Sequence, residues 1–196
     1  MNRIIYIMGK SATGKDTIFQ HLQKKHPEWK MMTLYTTRPI RVGETDGKEY
    51  YFVDDNYIEE IAAQGKIIEQ RTYDTVHGLW HYVTADDGKI NLQQHTYLAI
   101  GTLQSYLALR RYYGSDALLP VYIEVEDGER LERALRREKK QADPKYGEMC
   151  RRFLGDSEDF SEEKLKEAGI HTRFQNVHLK DCIHQIEEYL AKTTLP

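Results

Sequence analysis

Apolar and polar positions follow two different periods along the chain, and the changes of period mark out its elements. Residues 4–8, Ile-Ile-Tyr-Ile-Met, form an unbroken apolar run rich in β-branched side chains, the pattern of a parallel strand covered on both faces. Thr17, Ile18, Phe19, Leu22 and Lys25 then keep a helical period. Residues 31–35 read as a second strand, 56–64 as a short helix and 66–71 as a strand. Beyond Ala85 a polar helical stretch leads to a buried strand at 96–100, a helix at 102–113 and a strand at 118–125. The rest reads as a highly charged helix at 126–140, a second helix after Asp143-Pro144, a strand at 173–177 and a closing helix at 181–190. Strands alternating with helices predict an α/β fold, a parallel sheet flanked by helices.

Composition narrows the function classes. The length of 196 residues suits one α/β domain with insertions. Charged residues make up 30% of the chain, yet the formal net charge is only −3. No whole-protein field therefore draws nucleic acid or an anionic membrane, and an anion site must be local. Met1-Asn2-Arg3 runs into the first strand without the long apolar segment of a signal peptide, and no stretch approaches a membrane span, so a cytoplasmic protein is expected. Cys150 and Cys182 are far apart, as reduced thiols would be, and His171, His178 and His184 are spread over the tail, so no structural metal is expected. Internal repeats are absent, and a monomer or weak homodimer is expected.

The chemistry starts where the first strand hands over to the first helix, at Gly9-Lys10-Ser11-Ala12-Thr13-Gly14-Lys15-Asp16-Thr17. Glycines there let successive N–H groups point inward, the helix start adds its positive end, and Lys15 supplies a mobile ammonium for β- and γ-phosphates. The P-loop pattern ends Gly-Lys-Ser/Thr, whereas this loop ends Gly-Lys-Asp with Thr17 one place later, which bears on the metal. The blander alternative is a strand-to-helix turn in which Asp16 complements the helix dipole. Farther on, Arg38 and Arg41 flank Pro39 while Gly43 and Gly47 supply turns, presenting two guanidinium forks from a shaped loop. Such forks bind phosphate oxygens bidentately, and Tyr50 adds an O–H donor; a solvated basic loop before an edge strand is the alternative.

Thr36-Thr37-Arg38-Pro39, then Gly43-Glu44, Gly47 and Tyr50-Tyr51-Phe52-Val53, resembles the monophosphate-binding loop of guanylate kinases, and the resemblance runs over almost the whole chain. It implies a P-loop kinase with a core at 1–33, 84–126 and 168–196, a small monophosphate-binding insertion at 34–83 and a helical lid at 127–167. It implies ATP contacts at Gly9, Ser11, Ala12, Thr13, Gly14, Lys15, Asp16, Thr17 and Asn176, and GMP phosphate contacts at Arg38, Arg41 and Tyr50. Glu69 falls where the family's guanine-reading glutamate falls. A carboxylate can accept from guanine N1–H and the 2-amino group together, whereas adenine offers an acceptor at N1.

The likeness fades over 73–84, the segment that completes the monophosphate pocket. Trp80, His81 and Tyr82 compete there for a phosphate-binding hydroxyl's place, with the register open, and His81 stands as the candidate. Leu34 or Tyr35 stands where the family often has a serine that helps read guanine. The strand ending Leu98-Ala99-Ile100-Gly101-Thr102 lacks the acids that the resemblance implies at Ala99 and Gly101, so Asp16 is expected to supply charge for Mg²⁺. In the lid, arginines closing over the β- and γ-phosphates would supply much of the catalysis, with Arg152 first choice and Arg151 and Arg137 next. The expected reaction is ATP + GMP giving ADP + GDP. Two alternatives stay open: a ribose bisphosphate kinase of phosphonate metabolism, whose P-loop also ends Gly-Lys-Asp, and a guanylate-kinase-like binding module that has lost catalysis.

Overall fold

The computed structural model describes residues 2–41, 43–75 and 78–194; Val42 of the arginine loop and His77 of the 73–84 segment lie outside them. The first strand is β1 (Ile4–Met8), all five residues buried, as an apolar run of this kind requires. It lies at the centre of a parallel sheet that also holds β2 (Lys30–Met31), β7 (Tyr97–Gly101), β8 (Leu118–Glu124) and β9 (Arg173–Gln175), in the order β2-β7-β1-β8-β9. Two apolar layers cover this sheet. One packs Ile5, Ile7, Leu98 and Val121 against Ile18 and Leu22 of α1 (Lys15–Lys25) and Cys182 and Ile186 of α7 (Leu179–Thr194). The other packs Tyr6, Met8 and Tyr97 against Leu103, Tyr106 and Leu109 of α3 (Leu103–Tyr113).

A second sheet holds β3 (Leu34–Thr36), β4 (Tyr50–Phe52), β5 (Ile67–Thr75) and β6 (Gly78–Ala85) in the order β4-β3-β6-β5. Helix α2 (Asp55–Ala63) covers it, laying Ile58 and Ile61 on Tyr35 and Val83. The helices α4 (Asp127–Glu138), α5 (Tyr146–Asp159) and α6 (Glu162–Glu167) lie between β8 and β9 in the chain. Helix α5 buries no residue fully and leaves Leu154 69% exposed, so it is the most thinly packed helix of the fold.

Two expectations about elements are corrected and one element is added. The strand expected at 31–35 is two strands in different sheets: the Met32 N–H still donates to Leu98 of the parallel sheet, and Leu34 opens the second one. The polar helical stretch after Ala85 is a run of turns, because Asp86, Asp87 and Asn91 take the N–H groups of Gly88, Lys89 and Gln93 on their side chains. Helix α6, begun by the Ser161 cap, was not expected.

Candidate active site

The β1–α1 loop is held open by contacts from three directions. Gly14 has φ 84°, and a Cβ there would stand 2.5 Å from the Asn176 side-chain nitrogen. That nitrogen donates to the Thr13 carbonyl at 2.7 Å, so Asn176, buried, braces the loop backbone. Thr13 donates from its hydroxyl to the Lys10 carbonyl at 2.8 Å. Ala12 sits at φ 64°, a left-handed conformation that costs a non-glycine residue roughly 1–2 kcal/mol and persists because the loop is pinned on both sides of it. Lys15 opens α1, half-buried, with Asp16 and Thr17 exposed beside it.

The third support comes from the lid helices. Arg130 of α4 is fully buried, its guanidinium donating to the Ser11 carbonyl at 3.1 Å and to Asp127 at 3.0 Å, 4.5 Å above the Phe153 ring of α5. Asp156 of α5 accepts from the Ser11 N–H at 2.7 Å and lies 3.5 Å from Arg130. Neither Arg130 nor Asp156 was singled out from the sequence, where Arg130 reads as one more charge on a solvated helix. A carboxylate of α5 thus sits on an N–H of the β1–α1 loop. The expected lid arginines are exposed: Arg151 and Arg152 donate to one carboxylate, Glu148, at 2.7–2.8 Å, and Arg137 points to solvent.

The arginine loop is braced on itself. Thr36 and Thr37 pin it to β6, the Thr36 hydroxyl donating to the His81 carbonyl and the Thr37 hydroxyl accepting from the His81 N–H. Arg38 is 3% exposed, its fork set on the two oxygens of Glu44 at 2.8 and 3.0 Å and its carbon 5.5 Å from the ring centres of both Tyr50 and Phe52. Burial alone would lower the Arg38 pKa, but the hydrogen bond to Glu44 and the nearby Tyr82 phenol outweigh it and raise it. Arg41 gives its backbone N–H to the same Glu44 and leaves its side chain exposed.

Strand parity decides among the three candidates on β6. Tyr82 pairs with Arg71 and Trp80 with Tyr73, while His81 pairs with Thr72. His81 therefore faces away from Arg38 and Tyr50, its Nδ1 2.8 Å from the Thr72 hydroxyl. Its placement in the monophosphate pocket is corrected: Tyr82, whose ring lies 5.6 Å from Tyr50, is the hydroxyl on the Arg38 side. Counting every second residue from Glu69 leads to His81; only the register of β6 on β5, which pairs odd with even positions, selects Tyr82.

Glu69 follows a β-bulge between Ile67 and Glu69, a device that re-aims the next side chain. Only 7% of Glu69 is exposed, and neither carboxylate oxygen accepts a hydrogen bond. Close by, the Tyr6 hydroxyl donates to the Thr102 carbonyl at 3.2 Å and lies 2.2 Å from where a Cβ on residue 101 would stand. The room that an acid at Gly101 would need is filled by this phenol.

The family model for guanylate kinase matches residues 1–192. A guanylate kinase of Thermobifida fusca is 42% identical over 67 residues, 34% of either chain, and one of Tropheryma whipplei (strain Twist) is 38% identical over 84 residues, 43% of this chain. These matches span only 34% and 42% of the length of those relatives. The crystal structure of a guanylate kinase from Anaplasma phagocytophilum superposes with a TM-score of 0.64 at 19% identity, over 99% of this chain and 87% of that one, and so shares the fold. With a family match over 192 of its 196 residues and a P-loop facing a lid of buried and exposed arginines, the chain belongs to the guanylate kinase family.

Proposed function

We propose that this protein transfers the γ-phosphoryl group of ATP to GMP. Residues 34–83 serve as the monophosphate-binding insertion and 127–167 as the lid over the P-loop. The observation that carries the reading is Glu69, a buried carboxylate paired with Arg71 at 2.8 Å but with neither oxygen accepting an aligned hydrogen bond, as a receptor for two adjacent N–H groups needs to be. Arg38, Arg41, Tyr50 and Tyr82 receive the acceptor phosphate, and the fork of Arg38 exchanges Glu44 for phosphate without losing an anionic partner. Lys15 and the N–H groups from Ser11 to Thr17 hold the donor phosphates. Asn176 acts from beneath them by fixing Thr13, and Arg137, Arg151 and Arg152 close from the lid.

Family membership implies ATP as co-substrate, usually with Mg²⁺. Among the described residues no group of three or more His, Cys, Asp or Glu side chains is placed to hold a metal. Mg²⁺ bound through substrate phosphates, waters and one carboxylate needs no such group, and exposed Asp16 fits as that carboxylate. When bound, the ion neutralises charge on the transferred group. Asp16→Asn is expected to raise the Mg²⁺ concentration for half-maximal rate; superimposable titrations would leave Asp16 a residue that complements the helix dipole.

The acceptors are small nucleotides. Among the described residues no helix is long and apolar enough to cross a membrane, and the cytoplasm is the proposed compartment, with a monomer or weak homodimer as the working state. The deciding experiment is ADP release measured over a panel of acceptors. GMP should be turned over faster than AMP, CMP and UMP, and faster than ribose 1,5-bisphosphate; a preference for the bisphosphate, or no turnover of any monophosphate, overturns the reading.

A further inference from the structure

Guanine carries three hydrogen-bonding groups on one edge: two donors, the 2-amino group and N1–H, and one acceptor, the 6-oxo oxygen. Glu69 can serve only the donors. The side chains of strand β3 are apolar or already engaged: Leu34 is apolar, the Tyr35 hydroxyl is occupied by Asp87 and by Lys89, whose Nζ donates to it at 2.7 Å, and the Thr36 hydroxyl donates to the His81 carbonyl. The donor that remains beside Glu69 is Arg71. It lies two residues on, on the same face of β5, with its Nε 2.8 Å from Glu69 Oε1. That contact is an ion pair without hydrogen-bond alignment, because the buried Nε and both Glu69 oxygens have no hydrogen-bond partner. Tyr73 is a further side-chain partner of the guanidinium, so what stays open is the Nε edge: a buried carboxylate and that edge, held side by side without an aligned hydrogen bond, form a pair of acceptor and donor for an edge of complementary order. The Arg71 side chain is 16% exposed, so its fork borders open space while its stem is covered.

We propose that Arg71 is a specificity-determining residue of the acceptor pocket, its guanidinium donating to the 6-oxo group of the purine while Glu69 accepts from N1–H and the 2-amino group. The inference rests on the GMP reading above. An arginine donates readily to guanine O6, and the same guanidinium would meet the 6-amino donor of adenine, so the pair rejects adenine at two adjacent atoms. The rival role is that of a counter-ion, with Arg71 merely neutralising a buried carboxylate.

6-Thioguanosine monophosphate separates these roles, because it keeps N1–H and the 2-amino group and replaces the oxygen with a weakly accepting sulfur. The parent protein should prefer GMP to 6-thio-GMP by about tenfold or more in kcat/KM, the scale of one charge-assisted hydrogen bond. Arg71→Met should bring that ratio near one by lowering the value for GMP while sparing 6-thio-GMP, with KM for ATP unmoved; a lower melting temperature is expected in either role, because Glu69 loses its ion-pair partner. Arg71→Gln, which keeps a neutral donor, should give an intermediate ratio and serves alone if the methionine variant does not fold. Equal losses for the two acceptors, or a parent protein indifferent to the 6-oxo group, overturn the role of Arg71 while GMP turnover stands. A parent protein that turns over no purine monophosphate overturns the GMP reading itself, and the base pocket with it.

Discussion

The donor loop and the acceptor loop solve the same problem in opposite ways. Under the proposed function each would present N–H donors to a phosphate, and in each a carboxylate of the chain sits on one of them. On the acceptor side the partners are six residues apart, with Glu44 on buried Arg38 inside one turn-rich segment. On the donor side they are 145 residues apart, with Asp156 of α5 on the Ser11 N–H. The arginine loop is thus braced by contacts within its own segment. The β1–α1 loop is braced from outside its segment by a thinly packed helix, and under the proposed function a phosphate that claims the Ser11 N–H would displace that helix's carboxylate. Binding at the acceptor end should therefore leave the lid where it is, and binding at the donor end should move it.

The largest expected effect lies on the donor side. Lys15→Ala should lower kcat by a factor of about 10² to 10³, the usual cost of removing one preorganised positive donor, with an unchanged melting temperature. Retained turnover would remove the loop from the mechanism. Next comes Arg38→Ala, which should weaken GMP binding by about 1.5–3 kcal/mol and leave ATP affinity almost untouched; exposed Arg41 should follow in the same direction. Calorimetry with each nucleotide checks this, and equal losses for both would abolish the distinction between a local and an assembled site. Smaller still is Asp156→Asn, which weakens the occupant of the Ser11 N–H. ATP should then bind roughly two- to fivefold tighter, about 0.5–1 kcal/mol, with GMP affinity unchanged. Weaker ATP binding in that variant would mean that Asp156 supports the loop and does not compete for it.

The smallest effect is a pH dependence in the lid. Hydrogen bonds from Arg151 first and Arg152 next, against the opposing effect of burial, lower the Glu148 carboxyl from 4.5 to about 2. A depressed carboxyl stabilises the fold above its ordinary value, and the contribution is lost as pH falls from 4.5 through about 2. Because Glu148 is 39% exposed, the gain is screened to less than about 1 kcal/mol. Melting curves of the parent and Glu148→Gln should differ slightly at pH 7 and converge near pH 2; a difference that persists there assigns the pair no part in lid order.

The same contrast of near and far explains what could be read from the sequence. The strand, loop and helix over 4–25 are local, and their residues announce them through apolar periodicity and glycine placement. Arg38, Arg41, Tyr50 and Glu69 could be named as candidates because they lie in a segment whose spacing is itself the signal. The break between Met32 and Leu34 was invisible because both sides are apolar and extended, and only the choice of hydrogen-bonding partner separates them. The turns over 86–95 were missed because aspartate and asparagine side chains captured N–H groups that a helix would have used. His81 was chosen over Tyr82 for want of a fixed strand register. Arg130 and Asp156 belong to the remote kind: nothing near either residue says that a helix charge will be buried against Ser11.

The phenol beside Gly101 constrains the order in which this site could change. A carboxylate installed at 101 by one substitution would place its Cβ 2.2 Å from the hydroxyl of Tyr6, a rigid ring with 2% of its surface exposed. Gly101→Asp should therefore be tolerated only in a background where Tyr6 has already been replaced by a smaller residue. The reverse path is open, since trimming Tyr6 first leaves a cavity that costs stability but creates no overlap. Two positions 95 apart in the chain are thus linked as a one-way sequence of steps, and a library that varies residue 101 alone will recover glycine.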